Sequence, residues 1–118
     1  MAAHHALRGE MWEKAVNYLR QAGLRATGQG AHREALAHLE QALVALRRLP
    51  NTRETTELPI DIHLDLRNAL NPLGDYVRMG DHLLAAEALA RSLGDQHRLG
   101  RIATFMVLQC IRRRSPSR

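Results

Sequence analysis

Glu57–Gly74, ELPIDIHLDLRNALNPLG, decides between two folds. Ile60, Ile62, Leu64 and Leu66 alternate with Asp61, His63 and Asp65, which alone is the pattern of a half-buried strand. Wound as a helix, the same stretch puts Leu58, Ile62, Leu66, Ala69, Leu70 and Leu73 at helical spacing. Two features decide for the helix. No other part of the chain offers a strand to pair with, and the run LRNAL from Leu66 continues at helical period. Pro59 then falls in a first turn, where a missing N–H is harmless, and Pro72 near the far end. The polar connector Asn51 to Thr56 precedes it, with Thr55 or Thr56 as N-cap and Glu57 in the first turn.

Before this stretch, Ala31–Pro50 carries Leu36, Leu39, Leu43 and Leu46 at spacings of three and four, one face of a helix. Ala35 and Ala42 lie beside that stripe and let another helix approach closely. Upstream, Gly9 interrupts whatever helix precedes it. A helix is expected from Glu10 to about Thr27 with Trp12, Ala15, Val16, Leu19, Ala22, Gly23 and Ala26 inward, ended by Gly28 and Gly30. Downstream, Gly74-Asp75 makes a turn with Asp75 as N-cap. A fourth helix then turns Met79, Leu83, Ala86, Leu89 or Ala90, and Leu93 inward, is weakened at its start by Gly80, and closes at Gly94. A fifth runs from Gln96 to Ile111 with Leu99, Ile102, Phe105 or Met106, and Cys110 buried. Residues 112–118 form a disordered basic tail. The expected fold is all-α: one domain over residues 1–111, an α-solenoid of antiparallel helical hairpins, units about 10–50 and 55–94, with about five helices.

Composition agrees. In 118 residues only 3% are aromatic, so the core must be built from Leu, Ala, Ile, Val and Met, which favours helices over sheets. A single cysteine excludes an internal disulfide framework. No apolar run reaches the roughly 20 residues needed to cross a bilayer, and the N-terminus lacks a secretory h-region, which predicts a cytoplasmic protein without membrane contact. The net charge of +5 suggests nucleic acid until it is located. Through Ile111 there are 13 basic and 12 acidic residues; Arg112, Arg113, Arg114 and Arg118 supply the excess. Such a tail can touch phosphate non-specifically, but it is absent from the packing face, so nucleic acid is the lesser reading.

The two hairpins repeat. Gly30, Ala35, Leu39 and Ala42 align with Gly74, Met79, Leu83 and Ala86 at a constant offset of 44 residues, and repetition of a two-helix unit is the signature of an α-solenoid. Gly23, Gly30, Ala35, Leu39 and Ala42 resemble the pattern of the tetratricopeptide repeat family. The second unit keeps Gly74, Tyr76, Leu83 and Ala86 but has Arg67 and Met79 where small residues are usual. More narrowly, RGEMWEKAVNYLRQAG, AHREALAHLEQALVALRRLP, LDLRNALNPLGDY and AEALARSLGDQHRLGR resemble the repeat region of large bacterial ATPase and nucleotide-cyclase-like signalling proteins. The resemblance implies a non-catalytic scaffold for protein–protein interaction, or a sensing segment of a larger signalling protein. It carries over no catalytic residue or cofactor: there is no phosphate-binding loop, and the only lysine is Lys14. Both ends read as cut, since HHAL begins as if late in a helix and the fifth helix lacks a partner. An exposed terminal face motivates homodimerisation.

Other constellations read blandly. His4 and His5 face apart, and none of His32, His38, His63, His82 and His97 has an i, i+4 partner among Cys, His or Asp, whereas zinc needs three or four converging ligands. They are expected at the surface, Asp61 and Asp65 on an exposed acidic face, and no nucleophile–base set stands out. If the family register holds, a partner groove is lined by Asn17, Arg20, Leu24 and Thr27 from the first unit and Asp61, Leu64, Asn68 and Asn71 from the second, with His97, Arg101 and Thr104 from the last helix. A partner peptide or helix there would be held by Asn amides on its backbone and by Arg20 or Arg101 on its carboxylates. The family's lysine-and-asparagine clamp is not reproduced.

Overall fold

The computed structural model describes the backbone of residues 2–50 and 52–114 and the side chains of 11–50 and 52–111. Its helices are α1 Ala2–Gly28, α2 His32–Leu46, α3 Arg53–Leu70, α4 Tyr76–Leu93 and α5 Gln96–Arg114, with a 3-10 turn Asn71–Leu73 after α3. Among the described residues there is no strand. Each helix packs on the next in sequence and α1 also meets α3, giving a slab of 62 × 33 × 18 Å.

The alternating run in α3 now has a physical account. At 3.6 residues per turn, positions two apart differ by about 200° around the axis and positions four apart by about 40°. An alternating pattern on a helix therefore makes two apolar stripes on opposite sides. Ile62 and Leu66 join Val16, Leu39, Ala42 and Met79 in one core cluster, while Ile60 and Leu64 join Leu83, Ala86, Ala90 and Ile102 in the other. All four α3 residues are at most 2% exposed. The central helix is buried on both sides because it has a hairpin partner on one side and the preceding hairpin on the other. Leu73, expected inward, is 41% exposed, because the chain has left the α-helix for the 3-10 turn before reaching it.

The repeat alignment holds at the level of burial: Ala35 and Met79, Leu39 and Leu83, and Ala42 and Ala86 are each no more than 1% exposed. Gly30 and Gly74 both take left-handed backbone, φ 81° and 72°, where a side chain is strained. Gly23 serves a different need. A Cβ built there would lie 2.6 Å from Leu39 Cγ, so the bare backbone is what lets α1 and α2 close.

Several boundaries move. α1 starts at Ala2, not Glu10, since the roughly 1 kcal/mol cost of an interior glycine is small against a long helix. The N-cap of α3 is Thr52: its hydroxyl accepts from Thr55 N–H at 3.2 Å, and the Thr55 hydroxyl accepts from Thr52 N–H at 2.7 Å, a reciprocal box. Pro59 consequently lies inside the helix, and burial on both flanks offsets its missing hydrogen bond. In α5 the expected face holds through Leu99, Ile102, Phe105 and Met106, which pack in the cluster with Leu64 and Leu83, and departs only at its last position. Ile102 and Gln109, seven apart, point inward and Cys110 is exposed. The Gln109 amide donates to Tyr76 C=O at 3.0 Å and lies beside Gly80. The backbone of residues 112–114 continues α5 instead of starting a tail; residues 115–118 lie outside the described residues.

Candidate functional site

The polar residues of α3 fall between its two apolar stripes. Asp61 and Asp65, about 40° apart, emerge on one side and His63 on the other. On the aspartate side α1, α3 and α5 come together around a cleft of about 330 Å³ lined by Arg20, Asp61, Asp65, His97, Arg98 and Arg101. Its frame is ionic. Arg20 Nε donates to Asp65 Oδ2 at 2.7 Å, tying α1 to α3. Arg98 grips both oxygens of Asp61 at 3.0 Å through Nε and Nη2, tying α5 to α3. Arg98 also donates through Nη1 to Asp95 at 2.7 Å, and its own N–H donates to the same carboxylate at 3.0 Å, so Asp95 opens α5 as an N-cap.

The charges respond to this packing. Hydrogen bonds to Asp61, and next to Asp95, hold the Arg98 guanidinium above its usual range. The Arg98 backbone N–H, then its side chain, lowers the Asp95 carboxyl. Asp65 is pushed upward because burial outweighs its hydrogen bond to Arg20. Loss of the Asp61 carboxylate is expected to loosen the α5–α3 contact: Asp61→Asn should cost about 1 kcal/mol in chemical denaturation, less at high salt. A salt-independent cost would locate the effect elsewhere.

Of the residues expected to line a groove, Arg20, Asp61, Arg101 and His97 meet here. Leu64 does not: it is 2% exposed in the α3–α4–α5 core, because the second apolar stripe faces that way. Asn17 and Leu24 are exposed on α1, and the Thr27 hydroxyl donates to Gly23 C=O at 2.9 Å. Asn68 accepts from the Arg67 guanidinium at 2.9 Å, Asn71 caps α3, and the Thr104 hydroxyl donates to Gly100 C=O. Arg20 is committed to Asp65, whereas Arg101 makes no direct hydrogen bond or ion pair among the described residues and acts on Asp65 only through its charge. Arg98 and Asp65 were not legible as site residues. Asp61 and Asp65 are no exposed acidic face either; both are part-buried in ion pairs.

On the opposite side of α3, His63 faces His82 of α4 with 2.9 Å between the two Nδ1 atoms. Burial, together with the neighbouring ring, lowers His63 to about 4, and burial also lowers His82. Two of the histidines expected at the surface thus share an internal contact, and the Nδ1 atoms of His32 and His38 are buried as well. Among the described residues no group of three or more metal-ligating side chains forms, and no helix is long and apolar enough to cross a membrane. Arg67, buried at 7% exposure, stacks its guanidinium 4.5 Å from the Phe105 ring centroid, so the residue standing in place of a small one reaches across to α5. No family model, no curated protein and no solved structure matches this chain.

Proposed function

We propose that this protein is a non-catalytic, tetratricopeptide-like interaction scaffold whose ligand is an extended peptide or a helix of a partner protein, received in the cleft between α1, α3 and α5. One observation carries the reading: the first helix of each hairpin and α5 bring side chains to a single cleft, while the second helices, α2 and α4, take no part in it. The hydrogen-bonding capacity left open there is mainly donor. Among the described residues Arg101 makes no direct hydrogen bond, and Arg20 donates through Nε alone. Both Asp61 oxygens are occupied, and Asp65 keeps one oxygen open. Donors of this kind suit the carbonyls and carboxylates of a peptide.

The test is peptide display against the full chain, followed by nitrogen-labelled NMR titration with a selected peptide. Selected peptides should perturb amides of α1, α3 and α5, and Arg101→Glu should weaken them tenfold or more. Binders that map to α2 and α4, or survive Arg101→Glu unchanged, would remove this reading. Self-association is a second reading, favoured by the outer face of α5, where Val107, Leu108 and Ile111 are 46–59% exposed. Light scattering over a concentration series should then show a dimer that Leu108→Lys dissolves; a monomer throughout would discard it.

A further inference from the structure

The contact between His63 and His82 belongs to no part of the cleft. His63 lies on α3 and His82 on α4, with ring centroids 5.2 Å apart and planes tilted by 39°. A 2.9 Å separation between two Nδ1 atoms needs one proton between them: one ring donates and the other accepts through its lone pair. That is satisfied when both rings are neutral and when one is charged. With both charged there is no acceptor, and two like charges face each other at contact distance.

We infer that His63 and His82 form an acid-sensitive latch, which holds the α3–α4 hairpin shut while the pair carries no more than one extra proton and releases it when both rings are charged. The groups around the pair are mixed in sign. Glu40 of α2 is held by Arg78 of α4 at 3.0 Å. Glu40 and Asp81 favour charge on His82 while Arg78 opposes it. Arg47 of α2 and Thr55 of α3 line the recess that opens on His63. Glu40, which reaches across from α2, is thus shared with Arg78, and Asp81 acts on His82 from its own helix, so a doubly charged pair is compensated only in part.

The sign follows from where the protons go. Burial lowers both imidazoles in the folded chain, so the unfolded chain binds protons first as the pH falls below about 6.5. Stability is complete above that value and is lost on the way down to about 4, where His63 itself charges. The consequence reaches the cleft through α3: His63 sits between Asp61 and Asp65 in sequence, and those two carboxylates hold α5 and α1.

The test is chemical denaturation of the full chain at pH 7.0 and pH 4.5 in wild type, His63→Asn and His82→Asn, with NMR titration of the histidine ring protons of the wild type. Asparagine keeps an amide near the Nδ1 position and cannot take the second proton. Between the two pH values the unfolded-to-folded ratio of the wild type should rise on the order of tenfold more than that of either variant. The two rings should titrate in separate steps, the second below pH 5. Equal pH dependence in wild type and variants, or both rings titrating together near 6.5, would overturn the latch. If neither variant folds, the wild-type ring titration decides alone.

Discussion

Truncating Leu64 to alanine is expected to cost about 2–5 kcal/mol, as much as truncating Leu66 two residues away. In a helix with a single buried stripe the two could not both be expensive, since they lie about 160° apart. Here both are essentially inaccessible, Leu64 at 2% and Leu66 at 0%, against different neighbours. Leu66 packs with Val16, Leu39, Ala42 and Met79, and Leu64 with Leu83, Ala86 and Ile102. A loss of this size is a large share of the stability of a small domain. Urea denaturation of the two single variants measures it. A Leu64→Ala cost under about 1 kcal/mol would mean that α4 and α5 do not close on α3 as described.

Gly23→Ala is expected to destabilise even though alanine is the better helix former by about 1 kcal/mol. The added methyl would meet Leu39 Cγ at 2.6 Å and Cδ2 at 2.8 Å, with the Ala35 carbonyl 3.4 Å away. Leu39 is itself 0% exposed and has no room to retreat, so α1 and α2 must separate, at a net cost of about 1–3 kcal/mol. Leu39→Ala alone leaves a cavity and costs about 2–5 kcal/mol. Combined, the two changes should cost less than their sum by 1 kcal/mol or more, because each removes the other's problem. Thermal or urea unfolding of the four proteins in the cycle measures the coupling. Additive costs would show that the helices do not meet at this glycine.

The legibility of the site divides along the same line. Arg20, Asp61 and Arg101 are placed by the register that the tetratricopeptide resemblance implies, in which the first helices of successive hairpins share a face. Arg98 and Asp65 escaped, since what makes them part of the frame is a distance between helices: Arg98 to Asp61 spans 37 residues and Arg20 to Asp65 spans 45. His63 and His82 escaped for the same reason, being 19 residues apart on different helices. Leu64 was misplaced because phase does not reveal that a second neighbour waits on the far side of α3.

The local part is therefore legible in the residues alone: five helices, the turn glycines Gly30 and Gly74, the N-cap Asp75, the small residue Gly23 and the 44-residue repeat. Each rests on backbone sterics or on spacing within a few turns, and such preferences act before any helix meets another. The burial of α3 on two sides, the inward turn of Gln109 in place of Cys110, and the pairing of charges and imidazoles come from the packing of helix against helix. These depend on how far apart the helices pack and on their rotation about their own axes. Around the α5 axis Gln109 lies within about 20° of Ile102 and Cys110 about 80° from it, and it is the approach of α4, whose Tyr76 carbonyl meets the Gln109 amide, that buries the one and leaves the other exposed.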